Sequence, residues 1–149
     1  MTQLTPHFTL EEFTDSQTAA RNGIPNVPSV NSQEYKNLQR TAETMELVRT
    51  KLGDKPILIS SGYRSPQVNA AVGGSKNSAH MSGLAVDFSC PGFGTPKQIC
   101  KKLEPIMKEF GIDQLIHEYD TWVHLGLTNG APRHMALTID NKGTRNGFA

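Results

Sequence analysis

Three residues of the sequence have side chains that bind zinc and are spaced so that they could meet around one ion. His80 and Asp87 lie seven residues apart, with Gly83 between them to permit a sharp turn. His124 lies in the apolar segment Trp122–Leu125, where a half-buried imidazole needs a partner for each ring nitrogen. Three protein ligands with a fourth position left for water are typical of catalytic zinc sites. The alternative is a loop histidine, a turn-capping carboxylate and a core histidine bonded to the backbone.

Glu118 is the candidate general base for the water that such a site would activate. Its suitability depends on the register of a predicted hairpin, because the register decides which residue of the first strand shares the face of His124. A loop with an odd number of residues lets Glu118 share the face of His124. A two-residue turn at Asp120 and Thr121 gives that face to His117 instead. On these residues alone His117 and Asp120 stay as alternatives, and Glu118 could also be an exposed strand carboxylate.

Two further polar residues are candidates for contact with a substrate. Arg64 follows a predicted strand, and its planar guanidinium could bind a substrate carboxylate through two hydrogen bonds. A surface arginine is an equally good interpretation of this residue. Ser78 precedes His80 by two residues and could either bond a substrate or brace the loop.

The composition fits one domain with almost no net charge. The 149 residues carry a formal net charge of +1, and 36% of them are hydrophobic. No nucleic-acid or membrane partner is expected from this charge, because both would favour an excess of basic residues. We expect a single domain over residues 1–149, acting as a monomer.

The two cysteines and the N-terminal residues indicate in which cellular compartment the protein is made. Met1–Pro6 has neither the basic nor the apolar region of a secretory signal, so synthesis in a cytoplasm is expected. Cys90 and Cys100 are then expected to be reduced, buried thiols. A disulfide between them stays possible if the protein later leaves the cytoplasm.

The hydrophobic pattern predicts an α+β fold with a small, mostly antiparallel sheet flanked by helices. Residues 1–30 are expected to be an irregular lead-in with one short helix, and residues 129–149 a loose tail. The predicted elements between them are a helix from Ser32 to Leu52, a strand at Pro56–Ser61, a helical turn at Gln67–Val72, a strand at Leu84–Phe88, a helix from Thr95 to Phe110, and a hairpin of Gln114–Glu118 with Trp122–Leu127.

These segments resemble the zinc D-Ala-D-Ala carboxypeptidase family, peptidase family M15, which is structurally related to the hedgehog signalling domain. The similarity runs from Phe8 to Leu127, and its lead-in resembles compact phage-type members. The motifs that carry it are Ser61–Ser65, Gly73–Ser75, Ser78–Asp87 and Trp122–His124. The spacing of the third motif, S-x-H-x-x-G-x-A-x-D, followed by W-x-H, is specific to this group.

The resemblance implies one zinc ion held by His80, Asp87 and His124. It also implies that Arg64 binds a substrate carboxylate and that Ser78 faces the substrate. Many members carry the catalytic acid three residues before the last histidine, where this chain has Thr121. A hedgehog-like arrangement has a glutamate six residues before it, and Glu118 occupies that position.

The function implied is that of a phage endolysin, a bacteriolytic zinc peptidase that cuts the stem peptides of bacterial peptidoglycan. Such an enzyme is made in the host cytoplasm and reaches the wall after a holin opens the membrane. The expected bond is the D-Ala cross-link or the terminal D-Ala-D-Ala bond. Alternatives are an L-Ala-D-Glu endopeptidase, a virion-associated hydrolase, and a non-catalytic zinc module that binds peptides or the cell wall.

Overall fold

The computed structural model describes residues 2–148, which form eight strands and six helices in that range. Two short 3₁₀ turns, at Ala79–Ser82 and Glu104–Ile106, complete the regular structure. The elements in chain order are β1 (Gln3–Thr5), β2 (Phe8–Thr9), α1 (Leu10–Thr14), α2 (Gln17–Asn22), α3 (Gln33–Lys51), β3 (Leu58–Ser61), α4 (Pro66–Ala71), β4 (Ala85–Ser89), α5 (Pro96–Leu103), α6 (Met107–Phe110), β5 (Gln114–Glu118), β6 (Trp122–Gly126), β7 (Met135–Asp140) and β8 (Gly143–Asn146).

Six of the strands form one sheet in the order β3-β4-β6-β5-β7-β8, and β1 and β2 form a separate two-stranded sheet. β5 pairs antiparallel with β6, β7 pairs antiparallel with β8, and β5 pairs parallel with β7. The expected α+β class is confirmed. None of the helices within residues 2–148 is both long enough and apolar enough to span a membrane.

Backbone contacts divide the chain into two units. The first contains the residues through Glu46 together with Ile59–Val86. Its core includes the packed rings of Phe8 and Phe13, whose centroids are 5.8 Å apart, and one face of α3. That face presents Leu38, Ala42 and Met45, spaced four and three residues apart as helical packing requires.

The second unit contains Leu47–Leu58 and the residues from Asp87 onward. Its core includes fully buried side chains from β4, α5, β5 and β6. They include Phe88, Ile99, Leu103, Leu115 and Leu125.

The prediction of a single helix from Thr95 to Phe110 is wrong, because the structure has two helices, α5 and α6, in this range. Thr95 caps α5, with its hydroxyl accepting from the amide of Gln98, but α5 ends at Leu103. Pro105 follows, and proline has no amide hydrogen and its ring clashes with the carbonyl four residues earlier. The chain therefore passes through a 3₁₀ turn before α6 begins.

Both ends of the chain are more ordered than the sequence predicted. The lead-in contains two strands and two helices where one helix was expected. The tail, expected to be loose, forms β7 and β8 and thereby extends the sheet. β3 is only partly buried, since Leu58 is 55% exposed while Ile57, just before the strand, is buried.

Candidate metal centre and active site

His80 lies on the short 3₁₀ turn Ala79–Ser82 and is buried. Its Nδ1 lies 2.7 Å from the carbonyl oxygen of Gly62. A carbonyl can only accept a hydrogen bond, so Nδ1 carries the proton and Nε2 keeps its lone pair. Metal-ligating histidines commonly have one nitrogen held by such a carbonyl while the other binds the ion. The local structure thus prepares Nε2 of His80 as a ligand.

The turn that carries His80 is fixed at both ends. At its start the hydroxyl of Ser78 accepts a hydrogen bond from the His80 amide at 3.2 Å. At its end Gly83 has a φ of 75°, a left-handed conformation that glycine adopts without strain. A Cβ at Gly83 would also collide with the carbonyl oxygen of Glu34. Thr41 of α3 donates its hydroxyl hydrogen to the Gly83 carbonyl at 2.7 Å, so the helix holds the turn.

Asp87 and His124 lie on β4 and β6, and their side chains are in direct contact. Nδ1 of His124 is 2.8 Å from Oδ1 of Asp87, and the two side chains are 13% and 11% exposed. Two ligand types suited to zinc are therefore adjacent and mostly shielded from water.

The structure brings the three predicted ligand residues together. One ligand atom from each of His80, Asp87 and His124 lies within 4.8 Å of the others. Two ligands at roughly 2.0–2.2 Å from one zinc ion can lie up to about 4.4 Å apart, which is comparable with this separation. The donor set of two imidazole nitrogens and one carboxylate oxygen fits zinc.

The hairpin of β5 and β6 has a three-residue loop, so its register is the odd-loop alternative. Ile116 pairs with His124, Glu118 pairs with Trp122, and His117 pairs with Val123. Paired residues share a face and faces alternate along a strand. Glu118 thus lies on the face of His124, diagonally across from it.

The alternative two-residue turn, which would have given that face to His117, is wrong. Within the three-residue loop Tyr119 and Asp120 both have positive φ angles, 52° and 48°. His117, buried on the opposite face, is 2.8 Å through Nε2 from Oδ1 of Asp120. This contact holds the loop against β5. His117 and Asp120, the two alternatives to Glu118, therefore bond to each other and stabilise the loop.

Arg64 is held by neighbours on two sides and lines a pocket of about 390 Å³. Nη1 donates to Oδ1 of Asn69 at 3.1 Å, and Nε donates to the hydroxyl of Ser61 at 3.4 Å. The Arg64 amide donates to the carbonyl of His80 at 3.1 Å, which places the arginine backbone against the His80 turn. These contacts set Arg64 apart from a freely moving surface arginine.

Sequence reasoning missed Asn69, which is 3% exposed and bonds both Arg64 and the loop that follows α4. A polar residue in a short helical turn ordinarily faces water, so nothing in its type indicated burial. The available signal was Gly74, because a glycine in a polar loop can mark a close approach by another group.

Neither cysteine belongs to this site. Cys90 and Cys100 are unpaired and buried, as expected for reduced thiols. Burial raises the pKa of both, that of Cys100 to about 12. At neutral pH both are protonated, and a protonated thiol is a poor nucleophile.

Comparison with known proteins agrees with this geometry. The sequence profile of the family described as Peptidase M15 matches residues 6–126, which is most of the chain. A 50-residue segment is 42% identical to the zinc D-Ala-D-Ala carboxypeptidase of Streptomyces albus G. That segment covers 34% of this chain and 20% of the Streptomyces protein.

Proposed function

Since this chain belongs to the peptidase M15 family, we propose that it hydrolyses D-Ala-containing bonds in the stem peptides or cross-links of bacterial peptidoglycan. The observation that carries the proposal is the cluster of His80, Asp87 and His124, whose ligand atoms lie within 4.8 Å of one another. The named activity of the Streptomyces relative supports the choice of a D-Ala substrate.

His80, Asp87 and His124 would hold one zinc ion. Such an ion, when bound by three protein ligands, polarises a carbonyl and makes water a stronger nucleophile at neutral pH. The protein's own contribution is to fix the ligands, which the Gly62 carbonyl does for His80 and the contact with Asp87 does for His124.

Glu118 is proposed as the general base. It lies on the face of His124 in the hairpin, where its carboxylate can take a proton from the attacking water. The same proton then passes to the nitrogen of the departing amine, which must leave as a neutral group. Thr121, three residues before His124, cannot serve, because a hydroxyl is not a base at neutral pH.

Arg64 is proposed to bind a carboxylate of the substrate. Arg64 lines a pocket, and its planar donor pattern matches a carboxylate better than a lysine ammonium would. A free carboxylate close to the cut bond is a property of both a terminal D-Ala and a D-Ala cross-link to a diamino acid. Ser78 is proposed to face the substrate as well, alongside its bracing of the His80 turn.

The biological setting proposed is that of a phage endolysin. The enzyme would act as a monomer on the wall after release from the host cytoplasm, without a nucleic-acid or membrane partner. Its formal net charge of +1 gives no general electrostatic attraction to nucleic acid or to an anionic membrane surface.

Digestion of purified muropeptides, followed by mass spectrometry, tests the proposal. We expect loss of D-Ala from pentapeptide stems, or separation of cross-linked dimers at the D-Ala bond. Metal analysis of the same protein should give one zinc per chain, and a His80→Ala, His124→Ala double variant should lose both metal and activity. Products cut between L-Ala and D-Glu would contradict the D-Ala assignment and identify an L-Ala-D-Glu endopeptidase. Zinc-loaded protein that binds muropeptides and leaves them intact would identify a non-catalytic binding module.

A further inference from the structure

Asn69 is a buried amide whose two polar ends contact different parts of the chain. Its Oδ1 accepts from Nη1 of Arg64 at 3.1 Å, and its Nδ2 donates to the carbonyl of Ser75 at 2.9 Å. Its backbone amide donates to Ser65 at 2.9 Å, and its carbonyl accepts from Gly74 at 2.9 Å. The side chain is therefore held at both of its polar ends within α4, with its acceptor oxygen directed at the guanidinium.

Gly74 leaves the space that this contact needs. A Cβ at this position would lie inside the contact distance of Oδ1 of Asn69 and 2.9 Å from Nη1 of Arg64. The Asn69 amide is short and bonded at both ends, so it could not move aside without breaking a hydrogen bond. Gly74 has an ordinary backbone φ, so the reason for glycine here is room, and conformation does not require it.

We propose that Asn69 is a positioning residue that orients the Arg64 guanidinium for a substrate carboxylate, and that Gly74 makes this possible. The inference rests on the proposed carboxylate-binding role of Arg64. A guanidinium binds a carboxylate best when the two planes are aligned, because its donors form a rigid fork. Contacts at Nη1 from Asn69 and at Nε from Ser61 set that plane before the substrate arrives, which lowers the ordering cost of binding.

The chain Arg64–Asn69–Ser75 also links the substrate residue to the metal-ligand turn. The carbonyl of Ser75 accepts from the amide of Ser78 at 3.1 Å, and Ser78 caps the turn that carries His80. Asn69 thus gives specificity without touching the reacting atoms: it selects for a substrate whose carboxylate meets a preset guanidinium.

The test compares two peptides that end in D-Ala-D-Ala, one with a free terminal carboxylate and one with a terminal amide. The wild-type protein should bind and cut the free acid better. Asn69→Leu keeps the branched shape of the side chain and removes both the acceptor oxygen and the amide donor to Ser75. We expect its KM and equilibrium Kd for the free acid to rise about tenfold, the order of a hydrogen bond to a charged group. Its constants for the amide, its kcat and its zinc content should stay near wild type.

Gly74→Ala provides a second variant that leaves Asn69 in place and displaces its oxygen. Its KM and Kd for the free acid should rise by the same factor. This result is informative even if Asn69→Leu does not fold. Gly92→Ala is the matched control, because a Cβ there meets only Lys55 at an ordinary 3.5 Å, and it should leave both peptides unaffected. A loss that is equal for the acid and the amide would overturn the positioning role, as would full acid preference in both variants.

The two levels of proposal fail differently in this design. A wild-type protein that treats the acid and the amide alike removes the carboxylate-binding role of Arg64 and the Asn69 inference with it. A wild-type preference that survives Asn69→Leu and Gly74→Ala leaves the function of Arg64 standing and removes only the inference about Asn69.

Discussion

At the residue scale, the side chains of the candidate centre are set by contacts with groups that could be named only from the structure. The sequence indicated that His80 could bind a metal, but the nitrogen available for binding follows from the Gly62 carbonyl 2.7 Å from Nδ1. Gly62 has no side chain to signal this role. A Cβ at Gly62 would collide with the backbone of Phe13, so the residue also has to be a glycine for packing.

The sequence identified residue types and could not identify partners. His80, Asp87 and His124 were predictable because few patterns combine these ligands with such spacing. The choice between Glu118 and His117 was not, because it depends on whether the hairpin loop has two or three residues. The loop depends in turn on two left-handed residues, Tyr119 and Asp120, and neither is a glycine that would have marked the position.

Glu118→Gln tests the base at this scale. The substitution keeps the shape and removes the basicity, so we expect activity to fall by roughly 10²–10⁴-fold, the usual contribution of positioned acid–base catalysis. Zinc content and the melting temperature should be unchanged. The measurement is kcat/KM on a D-Ala-D-Ala peptide, with metal analysis of the same sample.

His117→Ala is the comparison variant, because His117 is the neighbour on the opposite face. Its loss should lower stability, since a buried ring and its contact with Asp120 are removed. The activity per folded molecule should remain within a few-fold of wild type. An active Glu118→Gln together with an inactive, zinc-loaded His117→Ala would reverse the assignment of the base.

At the element scale, one short turn decides the position of the candidate ligand His80, and Gly83 ends that turn. Gly83→Ala should destabilise the protein for two reasons. A non-glycine residue in the left-handed region costs roughly 1–2 kcal/mol, and its Cβ would meet the Glu34 carbonyl of α3. Because Gly83 ends the turn that carries His80, zinc affinity should fall as well.

Gly111→Ala separates the two costs. Gly111 has a similar φ of 68°, but a Cβ there would have no described atom within 4 Å. Thermal unfolding of both variants should show a clearly larger loss for Gly83→Ala, and only that variant should need more zinc for saturation. An equal loss of thermal stability in both variants would mean that α3 moves aside for the added Cβ at little cost, and that α3 does not hold the turn.

Elements were predictable where one periodic signal dominated. α3, expected over Ser32 to Leu52, spans Gln33–Lys51 because its apolar stripe and the glycine stop at Gly53 agree. The prediction of one helix after Thr95 was wrong because the apolar pattern continues across Pro105, whereas the α-helix does not. β7 was missed because the residues around it are mostly polar, and it gains its order by parallel pairing with β5.

At the scale of the whole molecule, the largest correction is that the tail belongs to the sheet. β7 lies next to β5, and β8 lies at the edge. Pairing between β5 and β7 joins residues about twenty apart in the chain, which a local pattern cannot reveal. The segment that leads into β7 is anchored by Asp113, just before β5. Asp113 accepts from the amide, Nε and Nη2 of Arg133 at 2.8, 3.0 and 2.7 Å.

The anchor predicts how stability depends on pH. The hydrogen bonds from Arg133 hold the pKa of Asp113 below its ordinary value of 3.8. A carboxyl group with a lowered pKa in the folded state stabilises the protein above pH 3.8 and loses that contribution as the pH falls through the folded value. Asp113→Asn should therefore lower the melting temperature at pH 7, and the gap from wild type should narrow below about pH 4.

Asp54→Asn serves as the control in this titration, because Asp54 makes an exposed contact with Arg49 and is 68% exposed itself. Exposed ion pairs contribute little to stability, so this variant should follow wild type at every pH. Hydrogen exchange should also become faster in β7 and β8 of Asp113→Asn at pH 7, since the segment before β7 loses its attachment. A gap between Asp113→Asn and wild type that stays constant from pH 7 to pH 3 would show that Arg133 acts on Asp113 through shape alone, and that the charge of the carboxylate does not hold the tail in the sheet.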